Sequence, residues 1–164
     1  MVRSAWLSVI AVALIVGCQS QSLDLTYLQQ TAIADEVRQV ADQFLRRSES
    51  GDVAGWMALF DSDEDMRYAI SGSVWTLDAL EVDHRALMES QQEASWVWDD
   101  VHVVLLSADV AVLTGTLHGS ITYKSGQIVS FDKIAMTMVL RRCGGEWKII
   151  NAHESLDHHP DLHR

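Results

Sequence analysis

Residues 144–155 read GGEWKIINAHES, and this stretch near the C-terminus decides the fold. Two glycines favour a turn, and the residues after them alternate in the manner of a β-strand. This alternation places Trp147, Ile149, Asn151 and His153 on one side of the strand. An amide and an imidazole then lie in the same row as a tryptophan and an isoleucine. A row of this mixed character suits the wall of a pocket.

Three further runs precede this strand, and all are rich in Val, Ile, Thr and aromatic residues. They span residues 96–106, 110–123 and 128–142, and short polar or glycine-containing gaps separate them. Such gaps favour hairpins, so the C-terminal half is predicted to be an antiparallel sheet. A shorter alternating run, residues 66–70, predicts one more strand upstream.

Helical patterns fill the N-terminal half. Apolar residues from Ile33 to Phe44 recur at helical spacing, and Gly51 provides a C-terminal stop. A short helix after Asp52 contains Trp56, and a third helix near Asp78 carries His84 among its inward leucines. Helices followed by strands indicate an α+β fold, with a curved antiparallel sheet wrapped around about three helices.

Two segments resemble the nuclear transport factor 2-like superfamily, and most closely its SnoaL-like and ketosteroid-isomerase-like members. They are WMALF at residues 56–60, and the ending Trp147-Lys148-Ile149-Ile150 followed by His153 and Ser155. The resemblance implies a cone-shaped fold with an internal cavity, and a homodimer formed through the outer face of the sheet. This fold serves isomerases, dehydratases and non-catalytic binders, so the resemblance alone leaves the activity open.

The N-terminus reads MVRSAWLSVIAVALIVGCQS, and its apolar run from Ala5 to Val16 has the length of a signal peptide and is too short to span a bilayer. Its ending, Ile15-Val16-Gly17-Cys18, resembles the lipobox of bacterial lipoproteins, with Ile15 where leucine is usual. The resemblance implies that Cys18 is lipidated and anchors the chain in a lipid bilayer. Gln19 in place of aspartate favours the periplasmic face of the outer membrane over retention at the inner membrane.

These features divide the chain into four predicted parts. Residues 1–17 form a lipoprotein signal peptide, and residues 18–30 form the lipidated cysteine with a polar tether. The cone-shaped domain spans residues 31–156, and residues 157–164 form a His-rich polar tail.

Charge and motifs exclude several classes of function. The formal net charge of -11 disfavours nucleic acid as a partner. Neither a phosphate-binding glycine loop nor a dinucleotide fingerprint is present, so we expect no cofactor. Pro160 interrupts the tail histidines, and no cysteine or carboxylate cluster completes a ligand set, so we expect no metal.

The predicted site is a mostly apolar pocket with a few polar groups. His153, Asn151, Ile149 and Trp147 come from the last strand, and Trp56 and His118 complete the set. Binding of a small apolar or amphipathic ligand is the preferred function. An isomerase or dehydratase is the first alternative, with Asp132 as a base and Tyr68 as a hydrogen-bond donor. A protein-interaction module with a closed pocket is the second.

Overall fold

The structure is a computed structural model that describes residues 24–63 and 65–156. Its elements follow in the order α1 (Tyr27–Ser50), α2 (Val53–Met57), β1 (Arg67–Ile70), β2 (Ser73–Trp75), α3 (Leu77–Ser90), β3 (Gln91–Leu105), β4 (Val110–Tyr123), β5 (Ile128–Cys143) and β6 (Glu146–Leu156). The predicted α+β class, with helices packed on one side of a curved sheet, is confirmed.

All six strands belong to one sheet in the order β2-β1-β6-β5-β4-β3. The four long strands pair antiparallel, as their short connections require. One pair departs from the predicted antiparallel pattern, because β1, next to the edge strand β2, lies parallel to β6. A parallel pair needs a long crossover, and the chain from β2 to β5 provides it. This pairing brings Tyr68 beside the end of the last strand.

Helix α1 packs its apolar stripe against the sheet. Its buried residues are Val37, Val40, Ala41, Phe44 and Leu45. The helix begins at Tyr27, because Thr26 and Gln29 form a capping box, and it ends at Gly51 in the left-handed conformation. Residues 27–30, assigned to the tether from sequence, are therefore helical.

The described parts of the long strands contain four register shifts, and each reverses the side on which later residues lie. The shift in β6 matters most. Leu140 pairs with Ile149, and Val139 pairs with Asn151, so Ile150 is an extra residue without a partner. Before this bulge Trp147 and Ile149 point into the core, and after it Ala152 is the buried residue.

In the part of the chain that the structure describes, none of the helices combines the length and apolar character needed to cross a membrane. Cys18 and the His-rich tail lie outside the described residues.

Candidate functional site

A cavity of about 220 Å³, partly open to solvent, lies between the sheet and the helices. Aromatic side chains form much of its wall, and leucine, isoleucine and methionine side chains complete most of the rest. Among the described residues, the aromatic members are Phe44, Trp56, Tyr68, Trp75, Trp96, Tyr123 and Phe131. Such a wall favours the uptake of apolar groups, because their transfer from water is favourable.

One wall carries a hydrogen-bonded pair, Tyr68 on β1 and Glu154 on β6. The Tyr68 hydroxyl donates to Glu154 Oε2 at 2.5 Å. Burial raises the pKa of the Glu154 carboxyl, although the hydrogen bond from Tyr68 partly opposes that effect. Burial, and then the charge of Glu154, raise the pKa of Tyr68 well above its usual range. The pair therefore places a carboxyl that holds its proton more tightly than usual in an apolar cavity.

A buried histidine stands on the helical side of the cavity. His84 stacks on Trp56 with ring centroids 3.7 Å apart and planes 15° apart. Burial lowers the pKa of His84 to about 4, so the imidazole is neutral at pH 7. Its Nε2 atom is buried and has no hydrogen-bond partner among the described residues. The imidazole therefore lines the cavity while its unpaired nitrogen is enclosed by the protein.

The remaining polar wall residues are Ser48, Asp83 and Tyr123. Asp83 is exposed as well as cavity-lining, which places it at the solvent-facing end, and partial burial raises the pKa of its carboxyl. Among the described residues, the wall contains no lysine or arginine. The ionisable groups of this site are therefore acidic or neutral.

Two glycines on the inner side of β4 allow tryptophan rings to lie flat against the sheet. A Cβ atom on Gly119 would approach within 2.4 Å of Trp96 Cε3, and one on Gly115 within 3.1 Å of Trp98 Cζ3. Trp96 lines the cavity, while Trp98 packs on α1 and donates from Nε1 to the Ala41 carbonyl at 3.4 Å. The missing side chain of Gly119 thus makes room for the Trp96 ring in the cavity wall.

Residues 37–157 match the SnoaL-like domain family, which is well over half of the chain. The chain belongs to the SnoaL-like domain family. The match covers α3, both edges of the sheet and nearly the whole cavity wall, so the cavity belongs to the SnoaL-like domain itself.

Solved structures with the same fold differ widely in sequence. A nuclear transport factor 2-like superfamily protein from Salmonella enterica superposes with a TM-score of 0.71 at 12% identity, covering 82% of this chain and 98% of its own. A protein of the same type with a cystatin-like fold, from Novosphingobium aromaticivorans, gives 0.61 at 22% identity, covering 79% and 84%. A hexachlorocyclohexane dehydrochlorinase, LinA type 2, gives 0.68 at 14% identity, covering 81% and 90%. These similarities show the fold, and no curated protein matches the chain significantly.

The SnoaL-like cavity contains only part of the predicted residue set. Trp56 and Tyr68 line it. Asn151 and His153, which we expected in the pocket, lie after the bulge at Ile150 and are exposed on the outer face of the sheet. The expected row from Trp147 to His153 is therefore corrected, since the extra residue interrupts the alternation on which it rested.

The other predicted residues lie away from the cavity. Trp147 and Ile149 are buried in the core at the opposite end of β6, where Trp147 Nε1 donates to Glu36 at 2.9 Å. His118 is exposed on the outer face, and its Nδ1 lies 2.6 Å from a carboxylate oxygen of Asp99.

Asp132 is also exposed, at a register shift of β5, and it does not line the cavity. An exposed carboxylate lacks the apolar surroundings that the expected base requires. Among the described residues, no group of three or more candidate ligands could hold a metal ion.

Sequence reasoning missed Glu154 and Asp83, and it placed His84 on the inner side of α3 without giving it a role. The spacing of His84 from Leu80 and Leu87 was a sufficient signal, because positions i, i+4 and i+7 share a helix face. No such pattern pointed to Glu154, because simple alternation places it on the other face of β6 from Trp147.

Proposed function

We propose that the SnoaL-like cavity binds one small, mostly apolar molecule that also makes a hydrogen bond. The observation that carries this proposal is that the Tyr68–Glu154 pair and the His84 side chain line one aromatic cavity. A few polar groups in an otherwise apolar cavity fix the orientation of a bound molecule. A volume of about 220 Å³ suits a one-ring compound.

Fluorine NMR with 4-fluorobenzyl alcohol tests this proposal on the full chain. Leu87 lines the cavity from α3 and is half-buried, so Leu87→Trp should fill its space. Val82 lies on the same helix with 72% of its surface exposed, so Val82→Trp is the matched control. We expect line broadening of the probe with the wild type and with Val82→Trp, and its loss with Leu87→Trp. A probe signal unaffected by the wild type, or affected equally by both variants, would overturn the proposal.

A second candidate function is proton transfer on a bound substrate, and the Tyr68–Glu154 pair favours it. In this function the ionised Glu154 removes a proton from a substrate carbon and returns it at another position, as an isomerase requires. The Tyr68 hydroxyl donates a hydrogen bond to this carboxylate at 2.5 Å, which opposes the rise of its pKa by burial. The similarity to LinA type 2 is compatible with such chemistry but carries only the fold.

Conversion of cyclohex-3-enone to its conjugated isomer provides the test of this second function. We expect Glu154→Gln to lower the rate by about 10²-fold or more, because a general base is lost. Glu93→Gln, on the exposed surface of β3, is the control and should leave the rate unchanged. No turnover above that of buffer, or equal turnover by Glu154→Gln, would exclude the isomerase function.

We further propose that the protein is anchored by an acylated Cys18 at the periplasmic face of the outer membrane, and that it forms a homodimer. The lipobox-like Ile15-Val16-Gly17-Cys18 supports the anchor. The exposed Val97 and Val104 on the outer face of β3 support the dimer, since burying them would be favourable. Analytical ultracentrifugation of the full chain in detergent tests the dimer, and a monomer at all concentrations would contradict it.

A further inference from the structure

We propose that the ligand of the cavity is a small hydrophobic amine, whose ammonium group pairs with the carboxylate of Glu154 while its apolar part fills the aromatic wall. This inference rests on the proposed binding function and specifies its ligand class. Three observations support it: the acidic character of the cavity wall, the neutral hydrogen-bond partner of Glu154, and the aromatic side chains of the wall.

The charges around the cavity have one sign. Glu154 and Asp83 are the acidic residues of the wall, and among the described wall residues none is lysine or arginine. Among the described wall residues His84 is the one that could become cationic, and it is neutral at pH 7. The chain as a whole has a formal net charge of -11. A cation is therefore attracted toward the cavity, and an anion would face repulsion with no basic group to receive it.

Glu154 lacks a counter-charge. Its one hydrogen bond among the described residues comes from the neutral Tyr68 hydroxyl, and it takes part in no ion pair there. A buried carboxylate is costly unless a cation or several donors stabilise it. An ammonium group supplies both the charge and the donors that the protein itself leaves out.

The wall is suited to receiving a cation as well as an apolar group. Trp56, Trp75 and Trp96 all line the cavity, and tryptophan is the strongest aromatic partner of ammonium groups. Asp83 stands at the solvent-facing end, where its charge favours the approach of an amine. Because an apolar cavity of about 150 Å³ accommodates benzene, one of about 220 Å³ accommodates a one-ring amine.

Isothermal titration calorimetry with three probes of nearly equal shape tests the proposal on the full chain. The probes are 2-phenylethylamine as the cation, 2-phenylethanol as the neutral compound and phenylacetate as the anion, all at pH 7.5 and constant salt. We expect 2-phenylethylamine to bind about tenfold or more tightly than 2-phenylethanol, and phenylacetate to bind weakest. In Glu154→Gln the affinity ratio of amine to alcohol should fall to about one.

Glu93→Gln removes the same formal charge from the exposed surface of β3, and it should preserve that ratio. An equal fall of the ratio in both variants would overturn the pairing with Glu154, since bulk charge would then explain the preference. Wild-type affinity for 2-phenylethanol equal to or above that for 2-phenylethylamine would also overturn it, while leaving the proposed binding function intact. The wild-type comparison decides the amine preference even if Glu154→Gln does not fold. Binding by none of the three probes overturns the amine proposal, and the fluorine NMR measurement separately decides the binding function.

Discussion

Replacing His84 by phenylalanine should remove a large part of the acid sensitivity of this protein. His84 is buried against Trp56, and burial lowers its pKa to about 4. In the unfolded chain a histidine has its ordinary pKa of about 6.5. Between these pH values the unfolded chain binds a proton that the folded chain does not. The free energy of unfolding therefore falls as the pH is lowered from about 6.5 to about 4.

The size of this effect follows from the two pKa values. One pKa unit corresponds to about 1.4 kcal/mol, so the gap between 6.5 and about 4 corresponds to at most roughly 3–4 kcal/mol. Phenylalanine keeps an aromatic ring on Trp56 and does not titrate. It also removes the buried Nε2 that lacks a partner, so the variant should be at least as stable as the wild type at pH 7.

Urea unfolding at several pH values between 4 and 7.5, followed by circular dichroism, measures the effect. The difference in unfolding free energy between His84→Phe and the wild type should grow by about 2–3 kcal/mol as the pH falls across this range. Val82→Phe, on the same helix with 72% of the residue surface exposed, is the control and should show no such growth because no titratable group is removed. A difference that stays constant with pH would refute the reasoning, because His84 would then titrate alike in both states.

Other parts of the site lead to further predictions. Burial raises the pKa of the Glu154 carboxyl in the folded protein. As the pH rises from about 4.5 through that raised pKa, the unfolding free energy of the wild type should therefore fall relative to that of Glu154→Gln. The fall is about 1.4 kcal/mol for each unit by which the folded pKa exceeds the unfolded pKa. Urea titrations from pH 5 to 9 measure this, and a trend of opposite sign would contradict it. Gly119→Ala should destabilise the fold by about 1–3 kcal/mol, since its Cβ would lie 2.4 Å from Trp96 Cε3 and 2.1 Å from the Ser95 carbonyl oxygen. A thermal unfolding midpoint equal to that of the wild type would contradict this, because β3 would then have shifted with no loss of stability. Cys18→Ser should abolish metabolic labelling with a fatty acid and release the protein from the membrane fraction, and unaltered labelling would disprove the anchor.

The elements of the fold followed from local signals in the sequence. The spacing of Val37, Val40 and Phe44 predicted the buried face of α1, and Gly51 and Asp52 marked the boundary with α2. The short polar or glycine-containing gaps predicted the hairpins of the long strands. These predictions succeeded because helix faces, caps and turns depend on residues close together in the chain.

The sequence predicted a mostly apolar cavity, but it did not predict most of the residues that line it. Trp56 and Tyr68 were expected at the site and do line it. His84 could be placed on the inner side of α3, but its stacking on Trp56 depends on how α2 and α3 meet. That meeting is a contact between elements, and periodicity within one element carries no information about it.

The sequence by itself determined the class of the fold, the order of its elements and the apolar character of the interior. Tertiary structure alone decided which end of β6 faces the cavity. Simple alternation predicted His153, whereas the unpaired Ile150 turns Glu154 inward and His153 outward. The physical reason is that a bulge arises from the pairing of two strands in a curved sheet, so β5 and β6 set it together. The pairing of Glu154 with Tyr68, across the parallel contact of β1 and β6, arises in the same way.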